Sequence, residues 1–293
     1  MPPLPYARHA PGSTAARAPW HLPPAMHRPL TRLSSDAPLL HRFIHSLADW
    51  RLSPLPTSWK LAHGLVKAPR SATVLVNGEH PLSLSLDAQT EWRIYQGVHE
   101  QAGLFLASRL AAFGGLCVDL GAHIGLHSVL LASLVGPGGR VISFEPSPPV
   151  RERLLANTRA LPQVTVLPWN EVRSLDELPE VRTPRAIDLL RINGAGWEPK
   201  VFEGAPELLR SHRLQALLME VGPGFVQPGL LVPLFPLKQY ALFKVLVPPS
   251  RTHWRLRPAL APVDLQRADN TRFHLLAIRR ECIGRVVDLM ARG

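Results

Sequence analysis

The residues best placed to do chemistry lie in Cys117-Val-Asp-Leu-Gly-Ala-His-Ile-Gly125. A short apolar run, LCVDL, enters a glycine-rich turn, and the turn opens onto GLHSVLLASLV, whose apolar spacing is helical. Gly121 and Gly125 let the backbone approach a ligand closely, and amides exposed at a helix start favour polar or anionic groups. Twenty residues past Gly125, the next apolar run, RVISFE, ends in Glu145. In an open parallel sheet the ends of the first two strands lie side by side, so Glu145 can accept both hydroxyls of a ribose. Its plainer reading is a surface acid that ends a strand.

Spacing separates the two cofactor classes that use such a loop. A dinucleotide site wants G-x-G-x-x-G, with a second glycine where a pyrophosphate meets the backbone. His123 stands at that place, and its side chain obstructs the approach. A sulfonium nucleoside has no pyrophosphate, so the loop favours S-adenosylmethionine over NAD. Asp119, Gly121, His123 and Gly125 are then expected around the methionine portion, with Glu145 at the ribose.

Elements must alternate to hold these residues. TVLVNG and LSLSL predict a β-hairpin around Asn77-Gly78. HEQAGLFLASRLAAF predicts a helix stopped by Gly114-Gly115. After the loop helix come RVISFE as a strand, SPPVRERLLANTRAL as a helix opened by Ser147, and VTVLPW as a strand. AIDLLRI, PKVFEGAPELLRSH and QALLMEV then predict strand, helix and strand. This is the α/β class, a parallel sheet with right-handed crossovers. Residues 222–270 are rich in proline and basic residues, and YALFKVLV and RFHLLAIR read as a late antiparallel edge pair.

Composition sets the outer limits. With 46% apolar residues in 293, a disordered or fibrous chain is excluded, and one α/β domain with extensions fits. The net charge is +11, but residues 1–70 hold nine Lys/Arg against only Asp36 and Asp49, which leaves +7 there. Net charge is therefore a weak argument for nucleic acid. Twelve prolines in that segment argue against a compact fold, apart from a short helix at APLLHRFIHSLADW. Residues 1–71 are read as a basic leader: an organellar transit peptide, a disordered extension, or the product of a start site placed too early. The expected location is intracellular, in an organelle if the leader is a transit peptide. The domain proper is expected over 72–285. No apolar run is long enough for a transmembrane helix. Cys117 and Cys282 alone make neither a disulfide framework nor a zinc site, and Cys117 reads as a core residue.

VDLGAHIGLHSVLLASLVGPGGRVISFEPSPP resembles the first two strands of FkbM-family methyltransferases, whose pattern is roughly VD-x-GANIG…G-x-V-x-AFEP. IDLLRINGAGWEPKVFEGAPELL resembles the family's second signature, D-L-x-K-I-D-V-E-G-W-E-P-x-V-x-x-G-A. YQGVHE resembles the segment whose closing glutamate precedes the glycine loop, RSLDEL a leucine-aspartate run, and HLLAIRR a late strand. The similarity spans about residues 95–280. It implies a class I methyltransferase fold with a seven-stranded, mostly parallel sheet and S-adenosylmethionine at the carboxyl ends of the early strands. It adds Glu100, Ala122 and Pro146 to the cofactor-binding set. The implied activity is O-methylation of a hydroxyl on a sugar, glycolipid or small metabolite.

The chain departs from that pattern at four places. His123 replaces the usual Asn. Ile192-Asn193-Gly194-Ala195-Gly196 replaces I-D-V-E-G, so both motif acids are absent, and Glu198 remains in the following W-E-P. Arg191 replaces lysine, which is not an equivalent change in a tight site. Asn170–Arg173 is short where the family has a few tens of residues, including an expected adenine contact. Asn193, Glu198 and His123 are the catalytic candidates on the acceptor side. Asn193 can position a hydroxyl but cannot take its proton. The alternatives are a catalytically degenerate S-adenosylmethionine binder and, from another class, an RNA-binding or RNA-modifying protein.

The pairs His123/His127 and His41/His45 have helical spacing but lack a third ligand, so no metal site is expected. His123 alone, with an ordinary pKa near neutrality, is either a base or a hydrogen-bonded loop residue. LPWN at 167–170 resembles an amine-holding loop in the wrong order. Trp197 reads as packing under the Gly196 turn, or as a stacking surface for RNA. RTHWRLR reads as a solvated loop, or as a phosphate contact.

Overall fold

The computed structural model describes residues 31–33, 70–168, 174–193, 198–222, 234–247, 258–264 and 271–290, without the side chains of 31–33 and 198–200. The 37–50 helix and the readings at Asn170, Trp197 and 251–257 fall outside these residues.

The sheet is built around β4 (Leu116–Leu120), which is buried along its whole length. A strand covered on both faces must be apolar throughout, and LCVDL is, except at Asp119. Cys117 packs on one face of the sheet, and Leu116, Val118 and Leu120 on the other. Asp119 therefore shares the Cys117 face. β4 pairs in parallel with β5 (Arg140–Phe144) and β7 (Leu189–Ile192). Beyond these lie β6 (Val164–Leu167), parallel to β5, and β8 (Ala216–Val221), parallel to β7. β9 (Tyr240–Leu246), β10 (Ala259–Pro262) and β11 (Phe273–Arg279) complete an eight-stranded order, β10-β9-β11-β8-β7-β4-β5-β6. β11 is antiparallel to both β8 and β9.

This is an α/β fold with a mixed, mostly parallel sheet, resembling the class I methyltransferase Rossmann-like fold. The resemblance implied seven strands, and the sheet has eight. The additional strand, β10, is a short segment ending in Pro262, which suits an edge position. Because β10 lies outside β9, β9 is interior, and the two late strands pair as expected without forming the edge.

α1 (Gln89–Tyr95) is a helix absent from the sequence reading. Its buried set includes Glu91, so it lacks a clean apolar stripe. Glu91 accepts from both Arg153 guanidinium nitrogens, at 2.5 and 2.6 Å, and from the Ser85 amide at 2.5 Å. α2 (Gln101–Leu110) and α3 (Leu126–Val135) follow, and α4 (Pro148–Thr158) carries Arg153. α5 (Pro179–Arg182) precedes β7. The single helix expected at 199–212 is two, α6 (Glu198–Glu203) and α7 (Pro206–Arg210). Pro206 drives Ala205 out of the helical region, to φ −135°.

The hairpin forms as expected from β2 (Ser71–Val76) and β3 (His80–Ser85), with Asn77 and Gly78 both at positive φ. Val74, Val76, Leu82 and Leu84 alternate inward onto the core. Asn157 on α4 accepts from the Ser83 amide at 3.0 Å and donates to the Ile124 carbonyl at 2.8 Å, tying the hairpin to the glycine loop. The segment read as a leader also contributes structure: β1 (Thr31–Leu33) pairs antiparallel with β2. At the other end, packing continues past 285. Arg109 donates to Asp288 at 2.6 Å, Arg285 to the Leu110 carbonyl at 2.7 Å, and Met290 bridges to Leu260.

Candidate functional site

The loop after β4 has the conformation its glycines suggest. Gly121 lies at φ +74°, and a Cβ there would meet the Asn193 carbonyl oxygen at 1.8 Å. Gly125, at φ +100°, opens α3, and its Cβ would meet Leu154 at 2.7 Å. His123 is also left-handed, at φ +53°. Asn and His are among the side chains that tolerate this region best, which gives the His-for-Asn departure a backbone reason.

The amides of this loop are not free. Gly121 and Ala122 donate to the Phe144 carbonyl at 3.0 and 2.9 Å, and Gly125 donates to the Ala122 carbonyl. The His123 amide donates to Glu145 Oε2 at 2.9 Å, and Glu145 Oε1 accepts from the Ser147 amide at 3.0 Å. The exposed amides expected from the sequence are thus satisfied internally. Glu145 braces the loop and still borders the cleft.

The cleft, of about 400 Å³, lies at the carboxyl ends of β4, β5 and β7. It brings together seven of the expected residues: Glu100, Gly121, Ala122, His123, Glu145, Pro146 and Asn193. Asp119 and Gly125 do not line it. Asp119 is fully buried, accepting from Arg191 at 2.8 Å and from Ser128 at 2.7 Å. Gly125 lies at the base of α3 against Leu154. The backbone of Glu198 opens α6, and its side chain is outside the described set.

Sequence reasoning missed Thr90, Ile94, His99 and Glu220 as cleft residues, and gave Arg191 no partner. Arg191 is the hub of a buried network. Besides Asp119, it donates to Glu100 Oε2 at 2.6 Å. Asn193 donates its amide to Glu100 Oε1 at 3.0 Å, and His127 Nδ1 lies 3.4 Å from Glu100 Oε2. Burial alone would raise the Glu100 pKa, but Arg191, then His127 and His99, hold it well below the usual carboxylate range. Burial alone would likewise lower the Arg191 pKa, and Glu100 and Asp119 raise it.

The histidines have the opposite character. His99, His123, His127 and His274 all have lowered pKa values, chiefly through burial, and His127 most of all. The folded chain leaves them neutral where the unfolded chain takes up protons. Their contribution to stability is therefore complete above about pH 6.5 and is lost as pH falls through the folded values. Urea denaturation should show lower stability at about pH 5.5 than at about pH 7.5, by up to about 1.4 kcal/mol per pH unit for each imidazole kept neutral. His127→Gln should shrink that difference, and an undiminished difference would remove His127 as a cause.

With the imidazoles neutral, Asp119, Glu100 and Glu145 face one guanidinium, so this part of a basic protein is locally anionic. Among the described residues, no group of three or more His, Cys, Asp or Glu is arranged to hold a metal ion. Nor is any described helix long and apolar enough to cross a membrane.

No family model and no curated protein matches the chain. Solved structures similar to it include an rRNA methylase from Streptococcus thermophilus, 10% identical, covering 61% of this chain and 94% of that one, with a TM-score of 0.40. A SAM-dependent O-methyltransferase from Thermotoga maritima is 15% identical over 74% of this chain and 80% of that one, with a TM-score of 0.40. Aeropyrum pernix fibrillarin, solved with bound S-adenosyl-L-methionine, is 14% identical over 71% and 94%, also at 0.40. The class of fold is defined here by the chain's own strand order.

Proposed function

We propose that the chain is an S-adenosylmethionine-dependent methyltransferase acting on a hydroxyl of a sugar, glycolipid or small metabolite. One observation carries this reading: the glycine loop and Glu145 border a single cleft in which the loop amides are already satisfied. A pyrophosphate needs free amides and positive charge. A sulfonium nucleoside suits an anionic wall and an acid beside its ribose. The cofactor supplies the methyl group on its sulfonium.

The residues of the chain position the two reactants. Glu145 accepts from ribose hydroxyls through the lone pairs its amide bonds leave over. Gly121 and Ala122 allow close approach of the methionine portion. His123 and His99, neutral near pH 7, supply lone pairs for the proton of an acceptor hydroxyl. Asn193 turns its amide to Glu100, leaving its carbonyl oxygen to orient the acceptor. A second reading, binding without turnover, is favoured by the fact that Glu100 is held ionised and residue 193 is an amide, so neither replaces a missing carboxylate base.

Calorimetry with S-adenosylmethionine and its demethylated product tests the cofactor assignment. Binding of both is expected, and Glu145→Ala should weaken it by about tenfold or more, the loss of hydrogen bonds to a charged group. Folded protein that binds neither at millimolar concentration would overturn the reading. Turnover on hydroxylated acceptors separates the enzyme from the binder.

A further inference from the structure

We propose that Glu100, rather than Asp119, receives the ammonium group of the cofactor's methionine portion, an inference that rests on the cofactor reading above. Asp119 is the acid that sequence places nearest the loop, but it has no surface and both of its oxygens are engaged, by Arg191 and Ser128. Glu145 is the other candidate acid. Its oxygens brace the His123 and Ser147 amides at the end of β5, on the ribose side. Glu100 lines the cleft with 13% of its side chain exposed, and three neighbours fix it from behind. These are the Arg191 guanidinium at 2.6 Å, the Asn193 amide at 3.0 Å and His127 Nδ1 at 3.4 Å.

Charge gives the direction of the preference. Asp119, Arg191 and Glu100 together carry one net negative charge. Arg191 and Asp119 are buried beneath the wall, so that charge meets the cleft through Glu100. An anion presented this way recruits a compact cation, and the ammonium group is the one a methionine portion carries.

The departure at residue 193 takes on a different meaning. An aspartate there would place a second carboxylate about 3 Å from Glu100, and two carboxylates that close share a proton. The Asn193 amide donates instead and leaves Glu100 fully charged. Loss of the motif acid thus strengthens an anionic contact while removing a base.

The test compares two ligands, S-adenosylhomocysteine, which has the ammonium group, and 5′-methylthioadenosine, which lacks it. In Glu100→Gln the first should bind about 10- to 100-fold more weakly and the second unchanged. An unchanged affinity for the first, or an equal loss for both, would overturn the assignment. If the wild-type protein binds neither S-adenosylmethionine nor S-adenosylhomocysteine, the cofactor reading itself fails. Should the variant not fold, wild-type protein labelled with ¹³C at its glutamate carboxyl carbons gives the same decision. The Glu100 signal should move with S-adenosylhomocysteine and stay in place with 5′-methylthioadenosine, and the same response to both would overturn the assignment.

Discussion

Gly121→Val is expected to destabilise the protein by about 3 kcal/mol or more and to abolish cofactor binding. Two costs add at this position. The backbone is at φ +74°, where a β-branched residue is strained. The new Cβ would also overlap the Asn193 carbonyl oxygen, at 1.8 Å, and its carbon, at 2.9 Å. Neither atom can yield easily, because the Asn193 amide is bonded to the Leu120 carbonyl at 2.8 Å, where β4 meets β7. Relief requires the two strands to part at the mouth of the cleft. Gly78→Val is the control, since φ is +79° there with nothing within 4 Å of a Cβ. It should show the backbone cost alone, about 1–2 kcal/mol. Urea denaturation of both variants decides the matter, and equal losses would mean that the close approach to Asn193 has no energetic weight.

Arg191→Met should cost about 3–5 kcal/mol, because it leaves Asp119 and Glu100 as buried carboxylates without their cation. Arg191→Lys should recover only part of this. A single ammonium cannot reproduce the two bonds, 2.8 Å to Asp119 and 2.6 Å to Glu100, that the planar guanidinium makes together. The double variant Asp119→Asn/Arg191→Met should be more stable than Arg191→Met alone, since one of the stranded charges is gone. Chemical denaturation of the three variants reads this directly. If Arg191→Met matches wild type, the network is not what holds the floor of the site.

The contrast between these two sites shows which kinds of structure a single sequence discloses. Gly121 and Gly125 are readable because a left-handed backbone is a local demand that local residue choice must meet. β4, β5, β7 and β8 are readable because burial on both faces forces unbroken apolar runs. Glu100 and Arg191 are separated by 91 positions. Nothing near either residue announces the other, so the pair could be suspected only as a departure from the family's lysine. α1 was hidden for a related reason: its inward face holds Glu91, whose partner Arg153 is 62 residues away. β1 is three residues long in a proline-rich stretch, too short for any periodicity to show. Asp119 was placed on the correct strand but assigned to the ligand, because alternation along β4 gives its face and not its partners.

The position of β11 also has a consequence for biosynthesis. It is the last strand to be made, yet it lies inside the sheet, between β8 and β9. While the chain emerges from a ribosome, β9 and β10 have no place on the growing sheet until residues 273–279 arrive. Until then β8 presents an open edge of apolar residues, which is a template for pairing with another chain. A stalled or truncated product ending in the 258–264 region would carry that edge permanently. Such fragments are expected to aggregate rather than to persist as a smaller folded unit, so completion of the C-terminal segment determines whether the central sheet closes.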